Sequence, residues 1–181
     1  LVANAEIYNY IELRAGMPGV DFATGSDCEP ALHLYLRLGG EFAEGLRGMY
    51  AIAIHDQVEG RLVLVRDPFG IKPLYYVEMA GALAFASEPQ ALLGAGLVKP
   101  ELRPESRQQL LQLQFTTGRE TAFEGICRVL PGETLVVKGG RIVARHRLAA
   151  LPHGKPRRQT AAEALRGLDV VLRDSVEIHQ R

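Results

Sequence analysis

The sequence predicts an α+β domain in which antiparallel sheets are stacked on each other and covered by helices. Strand-like runs come in pairs around short turns, the pattern of β-hairpins. The first pair is apolar on both faces, which places it between two covering layers. Helical spacing before and after the strands supplies the cover.

In chain order, LVANAEIYNY has strand character as far as Asn4, then turns, and YNYIELR reads as helix. The stretch EPALHLYLRLG (29–39) sets Leu32, Tyr35 and Leu36 at helical spacing, with Glu29 in the first turn and Gly39 as the stop. A short helix over 41–47 turns Phe42 and Leu46 inward. MYAIAIHD (49–56) and RLVLVRD (61–67) flank the turn QVEG, with Tyr50, Ile52 and Ile54 on one face and Met49, Ala51 and Ala53 on the other. LYYVEM (74–79) and ALAFAS (82–87) form a second hairpin around AG, and TLVVK and RIVARH a third around Gly139-Gly140. AALPHGKPRRQ (149–159) reads as a linker. Thr160 then caps a final helix with Glu163 in capping-box position, and Leu165, Leu168, Leu172 and Val176 share one face of it. The partner surface of that face is expected outside the chain. The opening at Leu1, in mid-strand, is read as a cut.

Composition narrows the class. The 181 residues are 47% hydrophobic and 23% charged, the profile of a globular protein with a core of its own. Lysine plus arginine equals aspartate plus glutamate at 21 each, so no global field points to nucleic acid or an acidic membrane as partner. The short basic run Lys155–Gln159 is read as solvated. No apolar run reaches membrane-spanning length and no signal peptide is visible. Two cysteines, Cys28 and Cys127, make no disulfide framework and suit a reducing, cytoplasmic setting. His33, His55, His146, His153 and His179 show no metal-ligand spacing, so no metal site is expected.

Three polar clusters stand where the pattern does not require them. Asn4-Ala5-Glu6 lies at the expected strand end. There a side-chain amide beside a backbone N–H offers two donors to a developing oxyanion, and Glu6 can hold an ammonium group. The plainer reading is an Asn that stabilises a turn. In GSDCEP (25–30), Asp27 is either the helix N-cap or an acceptor for a substrate amine. RDPFGIKPLYY (66–76) is a rigid loop, a packing corner or a site wall, with Arg66 and Asp67 forming an ion pair or capping it. Cys28 has an adjacent carboxylate and no nearby His in sequence, and is read as a packing residue. Cys127 is read as core or half-buried.

The order of these stretches is more specific than any one of them. NAEIYNY, GSDCEP, LRGMYAIAIHD, RLVLVRDPFGIKPLYY, LAFASE and FEGICRVLPGE together resemble the glutaminase domain of glutamine-hydrolysing asparagine synthetases, over nearly the whole chain. The EIYNY form distinguishes that branch from other class II amidotransferases.

The resemblance implies a four-layer αββα N-terminal-nucleophile sandwich, incomplete here. It implies an N-terminal cysteine that attacks the amide of L-glutamine, and ammonia that travels to a synthetase domain where ATP and Mg²⁺ activate aspartate. Asn4 matches the oxyanion-hole side chain. Ala5 stands where a Gly supplies the second N–H donor, a replacement that is strained only if φ is positive. Glu6 and Asp27 match glutamine-binding positions. The nucleophile, the segment holding the glutamine carboxylate and the pyrophosphate loop are absent, so this chain alone is expected to be inactive, with strand edges unpaired.

Expected boundaries are 1–148 for the amidotransferase domain, 149–159 for the linker and 160–181 for the first helix of the synthetase domain. A homodimer is implied by resemblance only. The alternatives are an amidotransferase of the same fold acting on another carboxylate, and a non-catalytic glutamine-binding or scaffold module.

Overall fold

The computed structural model of the chain describes residues 1–151 and 154–180. His153 and Pro152 of the expected linker, and Arg181 of the expected final helix, lie outside the described residues.

Antiparallel pairing builds two sheets. The larger has the order β1 (Val2–Ile7), β2 (Gly48–Asp56), β3 (Arg61–Arg66), β7 (Glu133–Lys138), β8 (Arg141–Arg147). The smaller runs β5 (Ala82–Ala86), β4 (Tyr75–Met79), β6 (Cys127–Arg128). The three expected hairpins are all present, with Ile54 opposite Val63, Val77 opposite Ala84 and Val136 opposite Ala144.

Three apolar clusters separate four layers. Tyr50, Ile52, Ile54, Val63 and Val65 face Ala31, Tyr35 and Phe42, which belong to α2 (Glu29–Leu38) and a 3-10 segment (Gly39–Gly45). Tyr10 and Leu13 of α1 (Tyr10–Ala15) pack on the same cluster. The opposite face of β2 and β3, with Ala51, Ala53 and Leu64, meets Leu74, Tyr76 and Val129 of the small-sheet side. On the far side of that sheet, Val77 packs with Ile126 and with Leu92 of α3 (Pro89–Gly94). The order is helix, sheet, sheet, helix, and the two-faced strands lie inside it as their composition requires.

Several boundaries differ from expectation. β1 does not end at Asn4. Its register with β2 continues to Ile7 opposite Gly48, so the backbone bonds hold Asn4, Ala5 and Glu6 within the strand. The turn comes at Asn9, whose side chain donates to the Gly45 carbonyl and accepts from the Arg47 N–H, both at 2.9 Å. Helix α1 therefore starts at Tyr10, not Tyr8. In α2 the buried stripe is Ala31 and Tyr35, and Leu36 is 69% exposed. Tyr35 sets that rotation, because its hydroxyl donates to Asp56 at 2.7 Å and accepts from Arg61 at 3.0 Å. The helix expected over 41–47 is the 3-10 segment, with Phe42 and Leu46 buried as expected. Helices α3 and α4 (Pro104–Leu113) and strand β6 have no counterpart among the expected elements. Proline in the first turn of both helices is the signal that marks them.

The capping box of α5 (Ala161–Ile178) is present in full between Thr160 and Glu163. Leu165, Leu168, Leu172 and Val176 are all exposed, so nothing in the described residues covers that face.

The crossing between the sheets depends on the loop after β3. Arg66 and Asp67 do not pair with each other; they divide the loop's backbone between them. The fully buried Asp67 carboxylate accepts from the N–H groups of Tyr50, Phe69, Ile71 and Lys72. The Arg66 guanidinium donates to the carbonyls of Gly70, Lys72 and Val129. Gly70 has φ +66°, and a Cβ there would lie 2.8 Å from Pro131 and 3.2 Å from the guanidinium carbon.

Asp67→Ala strands several buried donors at once and is expected to destabilise the chain by about 4 kcal/mol, whereas Asp67→Asn, keeping one acceptor, costs roughly 2 kcal/mol. Urea unfolding curves measure both; equal effects of the two substitutions would contradict this account of the loop.

Candidate functional site

Alternation along β1 sorts its residues. Ala3, Ala5 and Ile7 pack toward the helices, while Asn4 and Glu6 project from the opposite face. Asn4 opens on a groove of about 250 Å³ at the mouth between the two sheets, shared with Ala51, Ala53, Leu74 and Phe85. Two residues further along the same face, Glu6 lines a cavity of about 340 Å³ together with Asp27, Tyr8, Tyr10 and Ser26. The fold thus brings Glu6 and Asp27 to one cavity, and places Asn4 on the neighbouring groove.

Asp27 is not the N-cap of α2. That position is Cys28, and its side chain makes no capping bond. Instead one Asp27 oxygen accepts the Ile7 N–H at 2.7 Å, tying the loop to β1, and the other accepts the Cys28 thiol at 3.5 Å. The loop itself is held from two helices. Glu29 accepts from the N–H of Ala23 (2.6 Å), the N–H of Thr24 (2.7 Å) and the Thr24 hydroxyl (2.6 Å). Arg14 of α1 donates to the carbonyls of Thr24 (2.8 Å) and Ser26 (2.9 Å). The Thr24 hydroxyl first, then the two backbone N–H groups and Arg14, hold the Glu29 carboxyl down to about 2.

The Ile7 N–H points away from β2, toward Asp27, and the Tyr8 N–H points toward β2, to the Arg47 carbonyl. By alternation the Ala5 N–H also points to the outer side of β1, the edge strand of its sheet. Ala5 has no positive φ; among the described residues Gln114 is the one non-glycine in that region. Alanine therefore keeps the donor without strain at this position.

Glu6 already has an ammonium partner that the sequence did not announce. Lys72 Nζ lies 3.2 Å from Glu6 Oε1, and the Lys72 backbone N–H is bonded to Asp67 at 3.0 Å. The rigid loop thus reaches the site through one ion pair. Its lysine, between Ile71 and Pro73, was the available signal. Gly48 fixes the strand spacing behind Glu6, since a Cβ there would sit 2.1 Å from the Glu6 carbonyl oxygen.

Both cysteines are half-buried, as expected for packing residues. Burial, then the Asp27 charge, pushes the Cys28 thiol up; burial, then Glu120, does the same for Cys127. Neither is set up as a thiolate nucleophile. No group of three or more His, Cys, Asp or Glu among the described residues is placed to hold a metal ion.

A layered sandwich with a polar edge strand and an acidic cavity at its end defines a class. Residues 1–147 match the glutamine amidotransferase domain family, and the chain belongs to it. Within that class the sequence is similar to asparagine synthetases. It is 35% identical over its full length to glutamine-hydrolyzing asparagine synthetase 1 of Bacillus subtilis (strain 168), covering 29% of that protein. It is 36% identical, again over its full length and 29% of the relative, to a putative glutamine-hydrolyzing asparagine synthetase of Mycobacterium tuberculosis (strain ATCC 25618 / H37Rv). Over 51% of the chain, identity to synthetase 2 of B. subtilis reaches 48%, covering 12% of that relative. The chain therefore spans less than a third of the length of these relatives.

The fold is shared with the glutamine phosphoribosylpyrophosphate amidotransferase of B. subtilis (TM-score 0.60, 23% identity, 83% of this chain and 29% of that one). It is shared also with the allosteric regulatory enzyme of purine biosynthesis (TM-score 0.59, 23% identity, 82% and 28%). The four-layer αββα sandwich that the resemblance implies is the fold found.

Because the Glu29 carboxyl is depressed from an ordinary 4.5 to about 2, its contribution to loop order is present above about pH 4.5 and is lost as pH falls through about 2. The Ala23 and Thr24 amides are expected to stay protected at about pH 3, and Glu29→Gln to loosen them wherever the carboxylate is ionised, above about pH 2. Hydrogen exchange followed by NMR reads this directly; amides already labile at about pH 3 would contradict it.

Proposed function

We propose that this domain binds L-glutamine and hydrolyses its side-chain amide, supplying ammonia to a synthetase domain of the same protein that makes asparagine from ATP-activated aspartate. The observation that carries the reading is the meeting of Glu6 and Asp27 on one cavity at the end of an edge strand whose Ala5 N–H faces outward. Asp27 holds the substrate α-ammonium group, and Glu6, steadied by Lys72, holds a second polar group of the same molecule. The Asn4 amide and the Ala5 N–H stabilise the oxyanion.

In the reaction a cysteine thiolate adds to the amide carbon, and the carbonyl electron pair moves to oxygen. The carbonyl then re-forms and the C–N bond breaks as the amide nitrogen takes up a proton and leaves as ammonia, giving a thioester that water cleaves to glutamate and free thiol. Cys28 and Cys127 do not fit the nucleophile's part, so the residue comes from outside these 181 and the chain alone is inactive. ATP and Mg²⁺ belong to the synthetase domain. The exposed apolar residues of α5 support a domain partner for that helix, since Leu165, Leu168 and Leu172 have no cover here.

The test is glutamate release by the full-length protein, with ammonia-supported asparagine formation as the reference. Asn4→Ala is expected to lower glutamine-dependent kcat by about 10²-fold, the usual effect of losing one oxyanion donor, and to spare the ammonia-supported reaction. Asp27→Asn is expected to raise the KM for glutamine about tenfold or more through loss of a charge-assisted bond. No glutamine turnover by the unaltered protein would overturn the assignment and leave a binding module.

A further inference from the structure

The wall of the Glu6–Asp27 cavity contains a polar group that nothing above uses. The hydroxyl of Tyr8 is shut from water and has no hydrogen-bond partner among the described residues, an uncommon state for a phenol. Tyr8 follows Glu6 by two residues on β1 and its immediate continuation, so the two side chains leave the chain on the same side. Burial, with the Glu6 charge next, pushes the phenol up and keeps it a neutral donor.

The end of α5 packs against the ring that carries this hydroxyl. The His179 ring packs on Tyr8 in a tilted contact, with centroids 4.2 Å apart and the planes at 46°. Ile178, 6% exposed, lines the same cavity, and Asp174 pairs with Arg47. The rest of α5 is largely exposed, including Leu165, Leu168, Val171 and Leu172. Among the described residues, the contacts that seat the helix on the domain come from its final turns. A seat that leaves a hydroxyl unpaired is weaker than one that satisfies it, and a ligand that offers that hydroxyl a partner competes with the seat.

Building on the glutamine assignment above, we propose that Tyr8 is a substrate-positioning residue. Its hydroxyl donates a hydrogen bond to bound glutamine, and the last turn of α5 lifts from Tyr8 for that bond to form. The inference goes beyond Asn4, Glu6 and Asp27 by adding a neutral donor to the pocket and a displaceable cover.

Steady-state glutamate release by the full-length protein tests it, with Tyr8→Phe, His179→Ala and the double substitution. Tyr8→Phe is expected to raise the KM for glutamine about tenfold, with kcat within about twofold and Tm unchanged or higher, because the unpaired hydroxyl is gone. A merely structural tyrosine would instead lower Tm and leave KM in place. His179→Ala, at an exposed position, is expected to lower KM about threefold, and to do so less when combined with Tyr8→Phe because the two sites are coupled. A Tyr8→Phe KM within about twofold of the unaltered protein overturns the positioning role. A His179→Ala KM equal or higher overturns the cover, and this arm stands even if Tyr8→Phe fails to fold. A protein that neither binds nor hydrolyses glutamine is a different result: it overturns the underlying assignment, and this inference with it.

Discussion

The loop after β3 is where the two sheets, the core and the candidate site become one structure. A segment crossing between sheets has backbone groups that neither sheet can pair, and buried ones cannot be left to water. Asp67 takes the donors and Arg66 takes the acceptors, so one side chain of each charge serves a single turn of chain. The same pair reaches outward to both sheets. Asp67 is bonded to Tyr50 of β2, and Arg66 to the Val129 carbonyl beside β6. The Gly132 N–H, just before β7, donates to the Asp67 carbonyl at 2.8 Å. Fixing this loop fixes Lys72, and Lys72 meets Glu6 across 66 residues of sequence.

That division explains why the loop is legible in the sequence only in part. Two prolines and a glycine announce rigidity, and the adjacent opposite charges suggest a local pair. What pattern cannot reveal is that each charge serves backbone groups brought in from other strands. The same limit applies at Asp27. Its place just ahead of a helix predicts an N-cap, yet the nearer unpaired donor in space is the Ile7 N–H, 20 positions away. The ion-pair reading at Arg66–Asp67 and the N-cap reading at Asp27 fail for one cause, while the alternative in which the pair caps its own loop holds. A polar residue is satisfied by whatever group tertiary structure leaves open, and sequence shows only the local candidates.

The layers are more legible because they rest on periodicity. Strands with Ile52 and Ile54 on one face and Ala51 and Ala53 on the other have to be covered twice, and the clusters on the two sides of β2 are that requirement met. Thr160 and Glu163 mark the start of α5 for a similar reason: the capping box is complete within four residues and needs no distant partner. Leu36 departs from its expected place because α2 is rotated by Tyr35, whose hydrogen bonds to Asp56 and Arg61 outweigh one leucine's preference for the interior. The pairing of Lys72 with Glu6 and the unpaired Tyr8 hydroxyl could not be read from pattern, since contact and its absence are both properties of three dimensions.

An edge strand is costly to maintain because its outward N–H and C=O groups invite pairing with any other strand. β1 meets this in two ways along its length. At Ile7 the open donor is closed by the Asp27 carboxylate, which leaves that residue's oxygen set only partly committed. At Ala5 the backbone is extended and unstrained, so the donor on the open side is presented in a fixed direction by a strand whose other side is locked to β2. A donor held this way needs no reorganisation when charge develops in front of it, which is what an oxyanion site requires. Placing polar Asn4 and Glu6 on the alternate face of the same strand then sets side-chain and backbone groups at spacings fixed by the pleat. Under the proposed function, that face and that donor form the working surface of the domain.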